Sequence, residues 1–340
     1  MPAPRRHLFF AALLALLICF AFAACGEKSE DERPEREGFS LILDFYPNPD
    51  HMGIFVAESR GYFRDAGLDI DIQTPSDPAA PIKQVAAGRA DLAISYEPEL
   101  LLAREQGLDV KAVAALVNRP LTSLIWTRKS GIKRLGDLRG KTIATAGIPY
   151  QDAFLETILA RVKLTPADVK TVNVGLNLLP AVLGGRAQVM LGGFSNVEGV
   201  DLRLRGAGPT VTPVDELGVP PYDELIFVAN ASRIEDDPEA IRLFLAAVAR
   251  GTAAAVARPN EATDAVLEQG AGADKQQTAA QVEATIPALS QASADRPYGD
   301  MDEAQWSEFI GWMRDNGLIE SLPTPAQVLT EELLPGEIPE

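Results

Sequence analysis

The side chains that most metal sites and covalent catalysts depend on are scarce in this chain. It has two histidines, His7 and His51, and two cysteines, Cys19 and Cys25. A four-cysteine zinc site, a multi-histidine metal centre and a disulfide framework are therefore out of reach, and a mixed zinc site would need every one of these residues. A nucleophilic triad has at most one usable histidine. The remaining chemistry lies in aromatic, carboxylate and amide side chains, which gather in four short stretches. Phe45 to His51 follow one apolar run, and Ser95, Tyr96 and Glu97 a second. Gly147 to Gln151 follow a third, and Gly192 to Glu198 a fourth.

Each stretch holds at least one aromatic and none holds a lysine or arginine. A site for sulfonate, nitrate or phosphate ordinarily wants a guanidinium or ammonium, although helix N-termini alone can hold an anion. Flat faces mixed with carboxylates and amides suit a planar, nitrogen-rich ring, neutral or weakly cationic. Aromatics stack on it while Glu or Asn hydrogen-bonds its edge. Taken singly, these residues have structural uses too. Asp50 serves as well as a helix N-cap, Tyr150 can cap a core, and His51 sits in the first turn of a helix.

The elements that must position these stretches follow an α/β rhythm. Ser40 to Asp44, Leu68 to Gln73 and Ala90 to Ser95 read as strands. His51 to Arg64 and Pro81 to Ala87, stopped by Gly88, read as helices. The rhythm predicts a mostly parallel sheet with helices on both faces, and ligands of such sheets bind beyond the carboxyl ends of strands. The pattern recurs at an offset of 97 residues, with Val85 to Ile94 matching Val182 to Leu191. Helix-glycine-strand junctions are common, but two similarly built lobes explain the match more economically. Two β-rich runs, Leu121 to Trp126 and Glu224 to Ala229, flank a complete α/β unit and read as crossings between lobes. Near the C-terminus, Asp237 caps a helix with Pro238 at its first position and an apolar stripe of Ile241, Phe244, Leu245 and Val248. Asp302 to Asn316 is a second such helix, whose Trp306, Phe309, Ile310 and Met313 read as core.

At the start, Arg5, Arg6 and His7 precede an apolar run from Leu8 to Phe22, then Ala23, Ala24 and Cys25. That order reads as a secretory signal, although its length alone does not exclude a membrane span. Phe22-Ala23-Ala24-Cys25-Gly26 resembles the lipobox of bacterial lipoproteins, whose cysteine is lipidated and becomes the mature N-terminus. An ordinary signal with an incidental cysteine is the alternative. Gly26 to Glu37 is almost devoid of apolar residues and should stay disordered, a tether with a reach of about 20 Å. The body that follows is long and apolar enough for two domains. With 48 acidic against 31 basic side chains the formal charge is −17, and loss of residues 1–24 removes two arginines and no acid, deepening it to −19. A nucleic-acid partner would need the opposite sign.

Asp44-Phe45-Tyr46-Pro47-Asn48-Pro49-Asp50-His51-Met52-Gly53-Ile54-Phe55 and Gly61-Tyr62-Phe63 resemble the opening of ABC-transporter solute-binding proteins of the sulfonate-binding and thiamine-pyrimidine-synthase-like family. Gly88 to Tyr96, Asp137-Leu138-Arg139-Gly140-Lys141 and Pro221-Tyr222-Asp223-Glu224 extend the match, in order, over roughly residues 41–230. Within that family the pattern is most like lipoproteins that bind thiamine's pyrimidine precursors. The resemblance implies an α/β, two-lobed periplasmic-binding-protein type II fold with mixed, mostly parallel sheets flanked by helices. Residues 1–24 would be the signal and 25–37 the tether. Residues 38–125 with 226–340 would form one lobe and 126–225 the other, closing on a ligand in the cleft between them.

The same resemblance implies Asn48 and His51 as polar contacts and Tyr46, Tyr96, Tyr150 and Phe194 as ring-facing aromatics. Glu97, Asn196 and Glu198 would read the heterocycle's edge, Phe45 and Tyr222 would complete the lining, and Cys25 would carry lipid. It implies no cofactor, metal or catalytic residue. The partners would be a small heterocyclic ligand, an ABC permease with its ATPase, and the membrane through the lipid, with the protein a monomer on the extracytoplasmic face. Family members often carry tryptophan where this chain has Phe45, which leaves riboflavin or another heterocycle open as the ligand, and sulfonate or nitrate as a weaker alternative. Fungal pyrimidine synthases are similar to the same fold and use a cysteine-rich segment for iron. The corresponding stretch here, Gly192 to Glu198, has no cysteine, so a binder rather than an enzyme is expected.

Overall fold

Short aliphatic runs alternate with helices and assemble into two five-stranded sheets. A computed structural model describes residues 37–270, 274–293 and 295–336; the expected signal, Cys25 and the tether as far as residue 36 lie outside the described residues. The chain begins with β1 (Glu37–Ile42), α1 (Met52–Ser59), α2 (Tyr62–Asp65), β2 (Leu68–Gln73), α3 (Pro81–Ala86), β3 (Leu92–Ser95), α4 (Glu97–Glu105) and β4 (Val110–Val117). It continues through β5 (Thr122–Thr127), β6 (Thr142–Thr145), α5 (Tyr150–Ala160), β7 (Lys170–Asn173), α6 (Leu178–Leu183), β8 (Val189–Phe194), α7 (Glu198–Leu204) and β9 (Pro209–Pro213). Last come β10 (Leu225–Asn230), α8 (Ala231–Asp236), α9 (Pro238–Ala257), α10 (Pro259–Glu268), α11 (Lys275–Thr285), α12 (Glu303–Asp315) and α13 (Pro325–Val328).

The two sheets share one plan. Their strand orders are β2-β1-β3-β10-β4 and β7-β6-β8-β5-β9. In the first, β1 pairs in parallel with β2 and β3, and β10 runs antiparallel between β3 and β4. In the second, β6 pairs in parallel with β7 and β8, and β5 runs antiparallel between β8 and β9. Four strands of each sheet therefore point one way, the mixed and mostly parallel arrangement expected. The antiparallel strand is in each case the one that follows a crossing, β5 after β4 and β10 after β9. These are the two runs that sequence patterning marks as crossings. The 97-residue repeat maps onto equivalent places: α3 and α6 both end near a glycine in the left-handed region, Gly88 (φ 67°) and Gly185 (φ 75°), and lead into the third strands β3 and β8.

Burial follows strand position. β4, β5 and β10 are apolar-rich and almost wholly buried, as covered strands should be. β4 lies at a sheet edge but is protected, because Ala112 bridges Leu329 and Val117 bridges Leu289. The apolar stripe of α9 closes the first sheet, with Phe244 stacked on Phe39 at 5.1 Å and on Phe63 at 5.3 Å. Helix α9 is the one described helix long and apolar enough to cross a membrane, and most of that apolar surface is buried in this packing. Where α9 crosses α1, a Cβ on Gly251 would fall 2.0 Å from the Gly53 carbonyl oxygen, so only glycine admits the approach. The crossing fixes α1, and with it the loop that leads from β1.

Two expectations need adjusting. His51 to Arg64 is not one helix: a 3-10 turn, Pro49–His51, leads into α1, and Gly61 at φ 77° breaks the chain before α2. The first strand spans Glu37–Ile42 rather than reaching Asp44, which leaves Asp44 free beyond the strand end.

Candidate functional site

The four aromatic stretches converge. Asp44, Phe45 and Asn48 beyond β1 and Tyr96 beyond β3 face Ile148, Tyr150 and Gln151 beyond β6. Gly192, Phe194, Val197 and Glu198 close the other side, and Pro78, Thr122, Ala146 and Leu178 complete the lining. The cleft holds about 480 Å³ of space not filled by atoms, including the part open to solvent. Its charged lining residues are Asp44 and Glu198, with no lysine or arginine.

Asp44 is held from two sides. The Tyr96 hydroxyl donates to its Oδ2 at 2.9 Å and His51 Nε2 lies 2.8 Å from its Oδ1. His51 Nδ1 accepts the Asn48 backbone N–H at 3.3 Å, so the network assigns the ring proton to Nε2, which donates to Asp44. Asn48 is the N-cap of the 3-10 turn, its Oδ1 accepting the Asp50 N–H at 2.8 Å. Asn48 and His51 thus form a reciprocal capping box that aims an imidazole at a carboxylate. Tyr96 leans toward Tyr150, ring centroids 6.0 Å apart, which joins aromatic walls from the two sheets.

Glu198 opens α7, and its Oε2 accepts the Phe194 N–H at 2.7 Å. Burial pushes this carboxyl up to about 7, against the lowering effect of the backbone N–H groups it accepts. Near neutral pH it can accept a hydrogen bond or donate one. Gln151 is anchored by the Ala146 N–H on its Oε1 at 2.9 Å. Its Nε2 lies 2.4 Å from where a Cβ on Gly192 would sit, and Gly192 has φ 108°, a conformation that favours glycine. No group of three or more His, Cys, Asp or Glu among the described residues is arranged to hold a metal.

Six of the eleven residues predicted for the site line the cleft: Phe45, Asn48, Tyr96, Tyr150, Phe194 and Glu198. Tyr46 lies outside at the mouth, 52% exposed and edge-on to Phe45. The other four are buried behind the cleft. His51 is occupied at both nitrogens, as above. Glu97 accepts the Asp223 N–H at 2.7 Å through Oε2, and burial, then the Asp223 charge, raises its pKa well above the usual carboxylate range. Asn196 Nδ2 donates to Asp50 Oδ1 and Thr285 Oγ1, each at 2.7 Å. Tyr222 packs on Phe154 and Phe309 and donates to Glu224. Asp50 is not the N-cap, since Asn48 takes that part; it is buried, one oxygen bonded to Asn196 and the other without a partner.

Residues not singled out beforehand include Asp44, Gln151, Thr122, Pro78 and Leu178. Asp44 and Gln151 stand at the ends of the quoted stretches, so strand-end position was a usable signal for them. Pro78 and Leu178 carry no chemical mark.

Glu224, just before β10, binds the other crossing. Its Oε2 accepts the Leu121 and Thr122 N–H groups, each at 2.6 Å, and the Tyr222 hydroxyl at 3.1 Å, while Oε1 accepts the Thr122 hydroxyl at 2.8 Å. Its neighbour Asp223 accepts from Trp306 Nε1 at 2.7 Å. Burial pushes both carboxyls up to about 7.

The fold is that of periplasmic binding proteins. It matches the alkanesulfonate-binding protein SsuA of Xanthomonas axonopodis pv. citri with a TM-score of 0.70 at 14% identity, covering 87% of this chain and 99% of that one. For the periplasmic nitrate-binding protein NrtA of Synechocystis PCC 6803 the TM-score is 0.67 at 13% identity, covering 88% and 87%. The chain belongs to the NMT1/THI5-like family, whose model matches residues 48–262. It is 31% identical over 305 residues to the formylaminopyrimidine-binding protein of Halalkalibacterium halodurans, covering 88% of this chain and 92% of the relative. A Haemophilus influenzae protein proposed for thiamine biosynthesis is 38% identical over 232 residues, 68% of this chain and 73% of its own. The 4-amino-5-hydroxymethyl-2-methylpyrimidine phosphate synthase of Candida albicans is 27% identical over 234 residues, covering 66% and 68%. By family and architecture, this chain has the periplasmic-binding-protein fold and belongs with relatives that include both a binding protein and synthases.

Proposed function

We propose that the chain is the extracytoplasmic, lipid-anchored solute-binding component of an ABC importer. Its ligand is a small aromatic nitrogen heterocycle, a thiamine pyrimidine precursor of the formylaminopyrimidine or hydroxymethylpyrimidine type. The observation that carries this reading is the cleft's composition: Phe45, Tyr96, Tyr150 and Phe194 around two carboxylates, with no cationic residue in the lining. An aminopyrimidine offers flat faces to those rings and an amine donor to Asp44 or Glu198. Its ring nitrogen accepts from Glu198 when that group is protonated. The similarity to the formylaminopyrimidine-binding protein supports the same ligand class. One lobe is built on the first sheet and the other on the second. The chain changes lobes just before β5 (Thr122–Thr127), a few residues earlier than the expected 125/126 boundary, and just before β10 (Leu225–Asn230). The lobes close by bending at these two crossings, which Glu224 ties together.

Titration of the purified, ligand-free protein with hydroxymethylpyrimidine and formylaminopyrimidine tests this, read by calorimetry and by small-angle scattering. Micromolar binding with a smaller radius of gyration is expected. Riboflavin binding in their place would overturn the ligand, and taurine or nitrate binding that weakens sharply with salt would overturn the argument from charge. The synthase relatives make turnover the other reading. No cysteine follows Cys25 in the chain, so nothing supplies a thiolate to that cleft, and conversion of any added pyrimidine would overturn the assignment as a carrier.

A further inference from the structure

A second space adjoins the cleft. An outer compartment, about 720 Å³ including space open to solvent, shares Phe45, Asn48, Val197 and Glu198 with the inner one. Its apolar wall includes Tyr46 and Leu179, with Val266 of α10 behind, and Gln277 and Gln281 of α11 supply amides. Gln281 is fixed, its Nε2 donating to the Val197 carbonyl at 3.0 Å. The charged lining residues are Glu198 and Asp201, and Asp201 is neutralised by the Arg205 guanidinium. No lysine or arginine lines this compartment either.

We propose that the outer compartment is a second subsite and that the ligand is bipartite. A planar ring occupies the inner slot, and a compact uncharged or cationic group carried by that ring occupies the space between Tyr46, Leu179 and Gln277. This rests on the reading of the inner cleft as a heterocycle site and extends it. Phe45, Asn48, Val197 and Glu198 border both spaces, so a ligand that reaches past these side chains would occupy both. Glu198, at the junction, faces the linkage and favours a positive or hydrogen-bond-donating group there. A phosphate in the outer space would meet Glu198 with no cation to offset it. The half-apolar wall and the amides suit a second small ring.

The test is calorimetric titration of the full protein with three probes. Hydroxymethylpyrimidine has one ring, thiamine joins the same pyrimidine to a cationic ring, and thiamine monophosphate adds an anion. Thiamine is expected to bind at least as tightly as the single ring, and the phosphate to bind about tenfold more weakly than thiamine. Gln277→Trp, at a half-buried position, and Leu179→Trp each fill the outer space and should weaken thiamine binding about tenfold while leaving the single ring unchanged. Binding of the single ring with refusal of thiamine would overturn the second subsite alone. So would two folded variants that weaken both probes equally. Failure of every pyrimidine to bind would overturn the heterocycle reading and this one with it.

Discussion

Two donors hold the Asp44 carboxylate, and only one of them, Tyr96, lines the cleft. His51 works from behind, so its removal should act on ligand binding through Asp44 rather than through a lost contact. His51→Ala strands both Asp44 Oδ1 and the Asn48 N–H, and a destabilisation of about 1–3 kcal/mol is expected by urea unfolding. Pyrimidine affinity should fall with it, while Tyr96→Phe should weaken binding with less loss of stability. The sequence marks these residues as important but not in which sense. Pro-Asn-x-x-His has the three-residue spacing of a capping box and also that of two ligand contacts on one turn, and only coordinates separate the two. Glu97 and Asn196 mislead for a related reason. A polar residue beyond a strand end can face the ligand or turn back to tie loops together, and the alternation of side-chain direction is lost once the strand stops.

At the scale of elements, the crossings are the informative parts. Glu224→Ala leaves the Leu121 and Thr122 N–H groups without their acceptor in a buried place, costing about 2–4 kcal/mol. Glu224→Gln keeps an acceptor for them, and its amide can donate to the Thr122 hydroxyl, so it should fold. Burial raises the pKa of this group from an ordinary 4.5 to about 7. Between those values the folded protein keeps a proton that the unfolded chain has released. The group therefore costs least below about pH 4.5, and stability falls as pH rises through about 7. Urea midpoints at about pH 5 and about pH 8 should differ less in Glu224→Gln than in the unaltered protein. Asp223, Glu99 and Glu198, each also raised to about 7, act in the same direction and persist in the variant.

Much of this level was legible. Leu68–Gln73 and Pro81–Ala86 were readable from period and stop signals, and the 97-residue repeat anticipated two sheets of one plan. The break at Gly61 is hidden in the sequence because the apolar pattern runs on through it, whereas the backbone there takes a left-handed turn.

For the molecule as a whole, the proposed attachment makes an expected outcome of fractionation. Cys25→Ser should move the protein from the membrane to the soluble fraction without changing its pyrimidine affinity, since among the described residues no cleft residue precedes Asp44. Continued membrane association would sink the lipid anchor. The acidic excess would be a poor substitute for lipid at an anionic membrane surface, which repels it.

The return of the chain to the first sheet at β10 also sets an order in time. Every strand of the second sheet comes from one continuous stretch, residues 122–213, whereas the first sheet waits for β10. Partners of β4 all arrive later still: β10, then Leu289, then Leu329. A chain emerging N-terminus first from a ribosome or an export channel therefore completes its later half before its earlier one. Until residue 230 has followed, the apolar run Val110–Val117 lacks these β partners. That segment is where an export chaperone has the most to protect, and where a premature stop would expose a strand edge ready to aggregate.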